Sequence, residues 1–268
     1  MRKSLRITPL AGLILMVVQP ALHAKNWCTN ADLVGSYGLF ATGAIVLPDK
    51  TPITGPFARV GRTTFDGNGN LSNLTVASYN GNIFNEPYSG TYTVNSDCTV
   101  TFIANLSAPV NAPVTLSGVL SDNNNEVRFM LTNPPGTTIA GVIRKQGVKW
   151  CGAADFSGDY QMELSGPVLP PSPLAGGFER VGKLNSDGAG NFTANTTASY
   201  NGMVVPEPLT GTYTMDQNCV LVLKYTLATA AGPLKVTING VLVDGGKGAN
   251  LIVSDPPGAA IEGTLKAQ

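Results

Sequence analysis

The sequence predicts an all-β protein built as two tandem antiparallel eight-stranded barrels. Three observations carry that expectation. Phe57–Cys98 returns as Phe178–Cys219 at a constant offset of 121, with 21 of 42 positions identical and no gap. Each copy breaks into about eight short strand-like segments separated by turn residues. Only 13% of the 268 residues are charged, whereas the chain holds 31 glycines and is rich in Thr, Asn and Val. That composition disfavours long helices and suits many short strands. Closing eight strands removes the sheet edges and leaves an interior for side chains or one small ligand. On periodicity alone a two-sheet sandwich competes with the barrel.

Taken in order, residues 1–24 read as a secretory signal. Arg2, Lys3 and Arg6 make a basic start, Leu10–Val18 is too short an apolar run to span a bilayer, and Pro20–Ala24 offers a cleavage site. The first barrel is expected over 25–147 and the second over 148–268, joined directly as a pseudo-dimer. In the first, the expected strands are 35–46, 57–65, 70–80, 88–95, 98–106, 113–121, 126–133 and 137–145, with Pro87 as a break before the fourth. Asp66-Gly-Asn-Gly-Asn70 supplies the Gly and Asn that a tight hairpin tolerates at positive φ. Asn133-Pro-Pro-Gly136 and Asp255-Pro-Pro-Gly258 close the last hairpin of each copy.

Without the signal, 14 of the 17 basic residues remain against 17 acidic ones, a net charge near −3. No basic stripe is present, which argues against a nucleic-acid partner, and no later segment is long and apolar enough to span a membrane. The lone histidine, His23, falls in the signal, so the mature chain lacks the residue that Ser-His-Asp and Cys-His catalysis and His-containing zinc sites require. The four cysteines follow the repeat, which predicts a disulfide Cys28–Cys98 in one copy and Cys151–Cys219 in the other, hence an oxidising, periplasmic or secreted location. Trp27 and Trp150 precede the first cysteine of each pair and are expected to cover the disulfides. No metal site, phosphate loop or dinucleotide fingerprint is apparent, so no cofactor is expected.

Alternation along a strand assigns faces. Arg59 shares parity with Phe57 and Phe65, Tyr79 with Leu71 and Ala77, Tyr37 with Leu39, and Glu86 with Tyr88 and Tyr92. The expected interior is therefore aliphatic, with Tyr37, Arg59, Tyr79, Glu86 and Tyr92 projecting inward, and Tyr160, Arg180, Tyr200, Glu207 and Tyr213 doing so in the second copy. Read as function, Tyr37, Arg59, Tyr92, Tyr160, Arg180 and Tyr213 orient a ligand within an apolar wall. Glu86 and Glu207, with Tyr79 and Tyr200, are the candidate acid–base groups of a histidine-free enzyme. Read as structure, Arg59 pairs with Glu86 and the tyrosines pack and hydrogen-bond to backbone.

The pattern Gly35-Ser-Tyr37-Gly38, Phe65-Asp-Gly-Asn-Gly-Asn70, Tyr79-Asn-Gly81, Gly90-Thr-Tyr-Thr-Val94 and Cys98 resembles a group of exported bacterial tandem β-barrel proteins. In architecture it is similar to calycins (lipocalin-like barrels) and to the allene-oxide-cyclase barrel. The resemblance implies export and paired barrels, and carries no activity. Three function classes follow: first a binder of a small apolar ligand, second a cofactor-free isomerase, cyclase or epoxide-opening enzyme, third a structural or surface-interaction module with filled barrels.

Overall fold

The computed structural model describes residues 27–47, 51–229 and 232–268; the expected signal over 1–24 lies outside them. Two closed antiparallel barrels follow one another along the chain. Barrel 1 contains β1 (Val34–Ile45), β2 (Gly55–Asp66), β3 (Asn70–Tyr79), β4 (Asn82–Val94), β5 (Thr99–Asn105), β6 (Pro113–Ser121), β7 (Glu126–Asn133) and β8 (Ala140–Lys145), closed by β8 on β1. Barrel 2 contains β9 (Ser157–Val168), β10 (Gly176–Asp187), β11 (Asn191–Tyr200), β12 (Met203–Met215), β13 (Val220–Thr229), β14 (Gly232–Val243), β15 (Gly248–Asp255) and β16 (Glu262–Ala267), closed by β16 on β9. The sandwich alternative is excluded by these closures.

β4 is longer than its sequence suggests and runs straight through Pro87. The Tyr92 N–H bonds to the Gly69 carbonyl, so even-numbered N–H groups of β4 face β3 and position 87 faces β5. β5 pairs with β4 only from Ser89 onward, so proline there removes no ladder hydrogen bond. The β2–β3 hairpin is tied by one carboxylate. Asp66 Oδ1 accepts from Asn68 N at 2.7 Å and Asn70 N at 2.9 Å, and Oδ2 accepts from Asn70 Nδ2 at 2.7 Å. Asp187 repeats this with Ala189 and Asn191. These donors hold both aspartates below the ordinary carboxylate range.

One end of each barrel is plugged by aromatics beside its disulfide. Cys28–Cys98 and Cys151–Cys219 are both formed, with Cα atoms 4.9 and 5.0 Å apart. Phe65 packs edge-on against Tyr37 and Tyr92, and Phe156 does so against Tyr213. The four hydroxyls go to backbone carbonyls: Tyr37 to Asn124, Tyr92 to Leu33, Tyr160 to Gly246 and Tyr213 to Phe156. Trp27 and Trp150 do not share this burial. Both are 64% exposed, so neither ring is buried within the plug.

The barrels pack side by side, and their joint is not two-fold symmetric. The outer face of β1–β3, carrying Phe40, Ala58, Val60 and Val76, meets Val241 on β14 and Ile252 on β15. Leu120 N bonds to Cys98 O, and Leu242 N to Cys219 O, so β14–β15 correspond to β6–β7 of the first repeat. The joint therefore sets different faces of the two repeats against each other, a heterologous contact. Gly38 permits the close approach: a Cβ there would lie 2.4 Å from Val243 Cγ1. Arg62 bridges the gap, donating to Asn218 Oδ1 at 2.8 Å and to Gln146 Oε1 at 3.2 Å. Ser78 Oγ reaches the Ala259 carbonyl at 2.8 Å. In the second repeat the positions of Phe40, Ala58 and Val76 carry Glu163, Glu179 and Thr197, because that face meets solvent instead of a partner barrel.

Candidate functional site

The alternation of β2, β3 and β4 brings three polar groups together midway along barrel 1. Arg59 Nη2 donates to the Tyr79 hydroxyl at 2.6 Å and to Glu86 Oε2. The Tyr79 hydroxyl in turn donates to Glu86 Oε2 at 3.0 Å. Glu86 is wholly buried. Phe57, Tyr79 and Tyr88 surround the guanidinium, with ring centroids 5.3, 5.8 and 5.3 Å from Cζ. Burial pushes the Tyr79 and Tyr88 phenols above their ordinary range, while the Arg59 charge opposes the shift. At neutral pH both phenols keep their protons.

Barrel 2 repeats the cluster with three exchanges around it. Arg180 pairs with Glu207, donates to the Tyr200 hydroxyl at 3.2 Å, and uses Nη1 on the Tyr225 hydroxyl at 2.7 Å. The Tyr200 hydroxyl donates to Glu207 Oε2 at 3.0 Å. Tyr225 lies on β13 opposite Gly211, where barrel 1 has Ala104 opposite Gly90. Conversely, Tyr88 of barrel 1 becomes Leu209. Across Arg180 stands Leu164, where Arg59 has Ala41.

These exchanges decide which barrel is hollow. Barrel 1 holds a cavity of about 200 Å³. Its outer end is formed by Leu47, Ile53, Pro109, Val110 and Pro134 from the loops opposite the disulfide. Its wall includes Ala41, Ala104, Leu116 and Phe129, and its inner end is Arg59, Tyr79 and Tyr88. A second space of about 30 Å³ lies deeper, between Thr63, Phe65 and Asn73, and shares Tyr88 and Ala104 with the first. In barrel 2, Leu164 and Tyr225 are buried members of one continuous core and occupy the volume that the two alanines leave open.

Of the residues singled out in the sequence, the structure brings Arg59, Tyr79 and Glu86 into one cluster and Arg180, Tyr200 and Glu207 into the other. Arg59 and Tyr79 line the cavity; Glu86 lies behind them and does not. Tyr37, Tyr92, Tyr160 and Tyr213 belong to the plugs at the disulfide ends. Tyr88, Ala104 and Tyr225 were not singled out. The parity of Tyr88 with Glu86 and the Ala-to-Tyr exchange between aligned repeats were the available signals. Among the described residues, no group of three or more His, Cys, Asp or Glu is placed to hold a metal ion.

No protein-family model matches the chain, and neither does any curated protein. Among solved structures, the chain is similar to the isotype 1 transferrin binding protein B of serogroup B Neisseria meningitidis, at 6% identity and a TM-score of 0.35, covering 87% of this chain and 76% of that one. It is also similar to CghA, at 11% identity and a TM-score of 0.30, covering 87% and 88%. A transferrin binding protein B double mutant from Haemophilus parasuis Hp5 gives 8% identity and a TM-score of 0.30, covering 87% and 75%. These likenesses are distant, and the tandem-barrel architecture rests on the strand pairing of this chain itself.

Proposed function

We propose that this is an exported binding protein for a small apolar molecule, with one binding site, in barrel 1. The observation that carries the reading is the apolar cavity of about 200 Å³ above Arg59, set against a barrel 2 whose matching space is taken by Leu164 and Tyr225. A cavity walled by aliphatic and aromatic groups gains free energy by exchanging water for apolar ligand surface. Binding is favoured over acid–base turnover by the place of Glu86. Its carboxylate is committed to Arg59 and Tyr79 and is screened from the cavity, so it has no route to a substrate atom. The two disulfides fit export to an oxidising compartment.

Native mass spectrometry of the protein purified from its host's periplasm or medium, followed by denaturation and analysis of what is released, tests this. One small apolar molecule per chain is expected. An apo mass from every preparation, together with failure of small aromatic hydrocarbons to bind, would overturn the reading.

A further inference from the structure

At the inner end of the cavity Nη2 of Arg59, the Tyr79 hydroxyl and Glu86 are committed to one another, which restricts what can enter. Arg59 Nη2 is shared by Tyr79 and Glu86, and the Tyr79 proton goes to Glu86. The Tyr88 ring lies beside the guanidinium, its centroid 5.3 Å from Cζ, and lines the cavity. A guanidinium carries no acceptor, so it cannot take the Tyr88 phenolic proton, which remains available to an occupant. Resting on the binding reading above, the geometry points to an uncharged occupant with one hydrogen-bond acceptor of carbonyl type, received by the Tyr88 hydroxyl, and excludes a carboxylate.

Charge leads to the same class. Arg59 and Glu86 cancel each other, and among the described residues the remaining wall is apolar apart from Thr137 near the outer end. Among the described residues the space offers no second cation, so a carboxylate would bring in an uncompensated charge, and an unpaired buried charge is strongly disfavoured. Barrel 2 supplies an internal comparison. There the arginine already receives a neutral oxygen on a flat apolar body, the Tyr225 phenol, from the wall position that is Ala104 in barrel 1. The unpartnered Nε of Arg59 is no mark of a ligand, since Arg180 in the filled barrel has the same unpartnered Nε. Cavities of about 150 Å³ accept benzene, so one of about 200 Å³ suits a molecule of roughly eight to ten non-hydrogen atoms.

Three probes of one skeleton separate the possibilities: isopropylbenzene, acetophenone and benzoate, titrated into the full-length mature protein at pH 8 by calorimetry or ligand-observed NMR. Acetophenone and isopropylbenzene are expected to bind, and benzoate to bind more weakly than acetophenone. Tyr88→Phe is expected to weaken acetophenone about 3- to 10-fold, the range of one net hydrogen bond, and to leave isopropylbenzene within twofold. The substitution suits the fold, since barrel 2 carries Leu209 at this position. Equal effects of Tyr88→Phe on both neutral probes, or tightest binding by benzoate, would overturn the ligand class while leaving the cavity reading intact. Failure of isopropylbenzene and acetophenone alike to bind the unaltered protein would sink the cavity reading itself.

Discussion

Arg180 Nη1 donates to the Tyr225 hydroxyl at 2.7 Å across the middle of barrel 2, and the residue at the place of Tyr225 in barrel 1 is Ala104. That exchange, together with Leu164 in place of Ala41, separates a filled barrel from a hollow one. The tyrosine that attends the arginine has moved from β13 in barrel 2 to β4 in barrel 1, where it is Tyr88.

Transplanting the barrel 2 arrangement tests that relationship. Ala104→Tyr with Tyr88→Leu is expected to abolish binding of neutral aromatic probes, a loss of at least tenfold. Folding stability should change by less than about 2 kcal/mol, because the swap roughly conserves interior volume. The reverse change, Tyr225→Ala with Leu164→Ala, should open a second site and cost about 3–5 kcal/mol or more through cavity formation. Probe titration and urea unfolding check both. Retained binding in the first variant would show that the ligand sits elsewhere.

The Arg59–Glu86 pair should matter through its burial rather than through chemistry. Glu86→Gln leaves the guanidinium without its counter-charge inside the barrel and is expected to destabilise by about 3–5 kcal/mol. Replacing both partners, as Arg59→Met with Glu86→Leu, should cost less than the single change, since no unpaired charge is left. Equilibrium urea unfolding of the three proteins, with circular dichroism as the probe, gives the order. A double variant less stable than Glu86→Gln would show the pair to be net stabilising beyond its desolvation cost.

The joint between the barrels depends on a face that the second repeat has made polar. Phe40→Glu with Ala58→Glu copies that polar face onto barrel 1, opposite Val241 and Ile252. The expected result is separation of the barrels into independently moving units that each stay folded. Small-angle scattering should show a larger radius of gyration, and calorimetry two transitions in place of one. An unchanged scattering profile would mean that Arg62, Ser78 and the chain connection hold the joint without its apolar centre.

Glu262 gives the chain a pH dependence with a definite sign. It lies on β16 opposite Ile252 at the margin of the joint, where burial, with Glu179 nearby, pushes its carboxyl from 4.5 up to about 7. Its folded value is the higher one, so between about pH 4.5 and 7 the folded state holds more protons than the unfolded state. From this group alone, stability is greatest below pH 4.5, falls as pH rises to about 7, and then levels off. Asp66 and Asp187 act oppositely at lower pH: their depressed values mean that their contribution is lost as acid protonates them. Thermal melts of the unaltered protein and of Glu262→Gln from pH 4 to 8 check the sign. Parallel curves for the two proteins would contradict it.

Much of the architecture was legible in the chain because it depends on local, repeating rules. Strand alternation placed Arg59, Tyr79 and Glu86 inward, Asp66 and its glycines made the hairpin, and the repeat paired Cys28 with Cys98 and Cys151 with Cys219. Pro87 was misleading because its effect depends on whether a neighbouring strand needs its N–H, which is a property of the sheet. The exposure of Trp27 and Trp150 was not legible for a similar reason, since adjacency to a cysteine does not say how deeply a ring will pack.

Sequence alone determined the duplication, the strand-rich composition, the inward-facing residues and the absence of histidine after position 23. Only tertiary structure decided that Tyr37 and Tyr92 close one end while Arg59 and Tyr88 face a cavity toward the other. It also decided that Ala41 and Ala104 leave space that Leu164 and Tyr225 fill, and that Phe40 meets the partner barrel while Glu163 meets solvent. The physical reason is that parity along a strand reports the face of a residue and nothing more. Depth along the barrel, the volume left between facing walls and the contact between barrels depend on how distant strands converge.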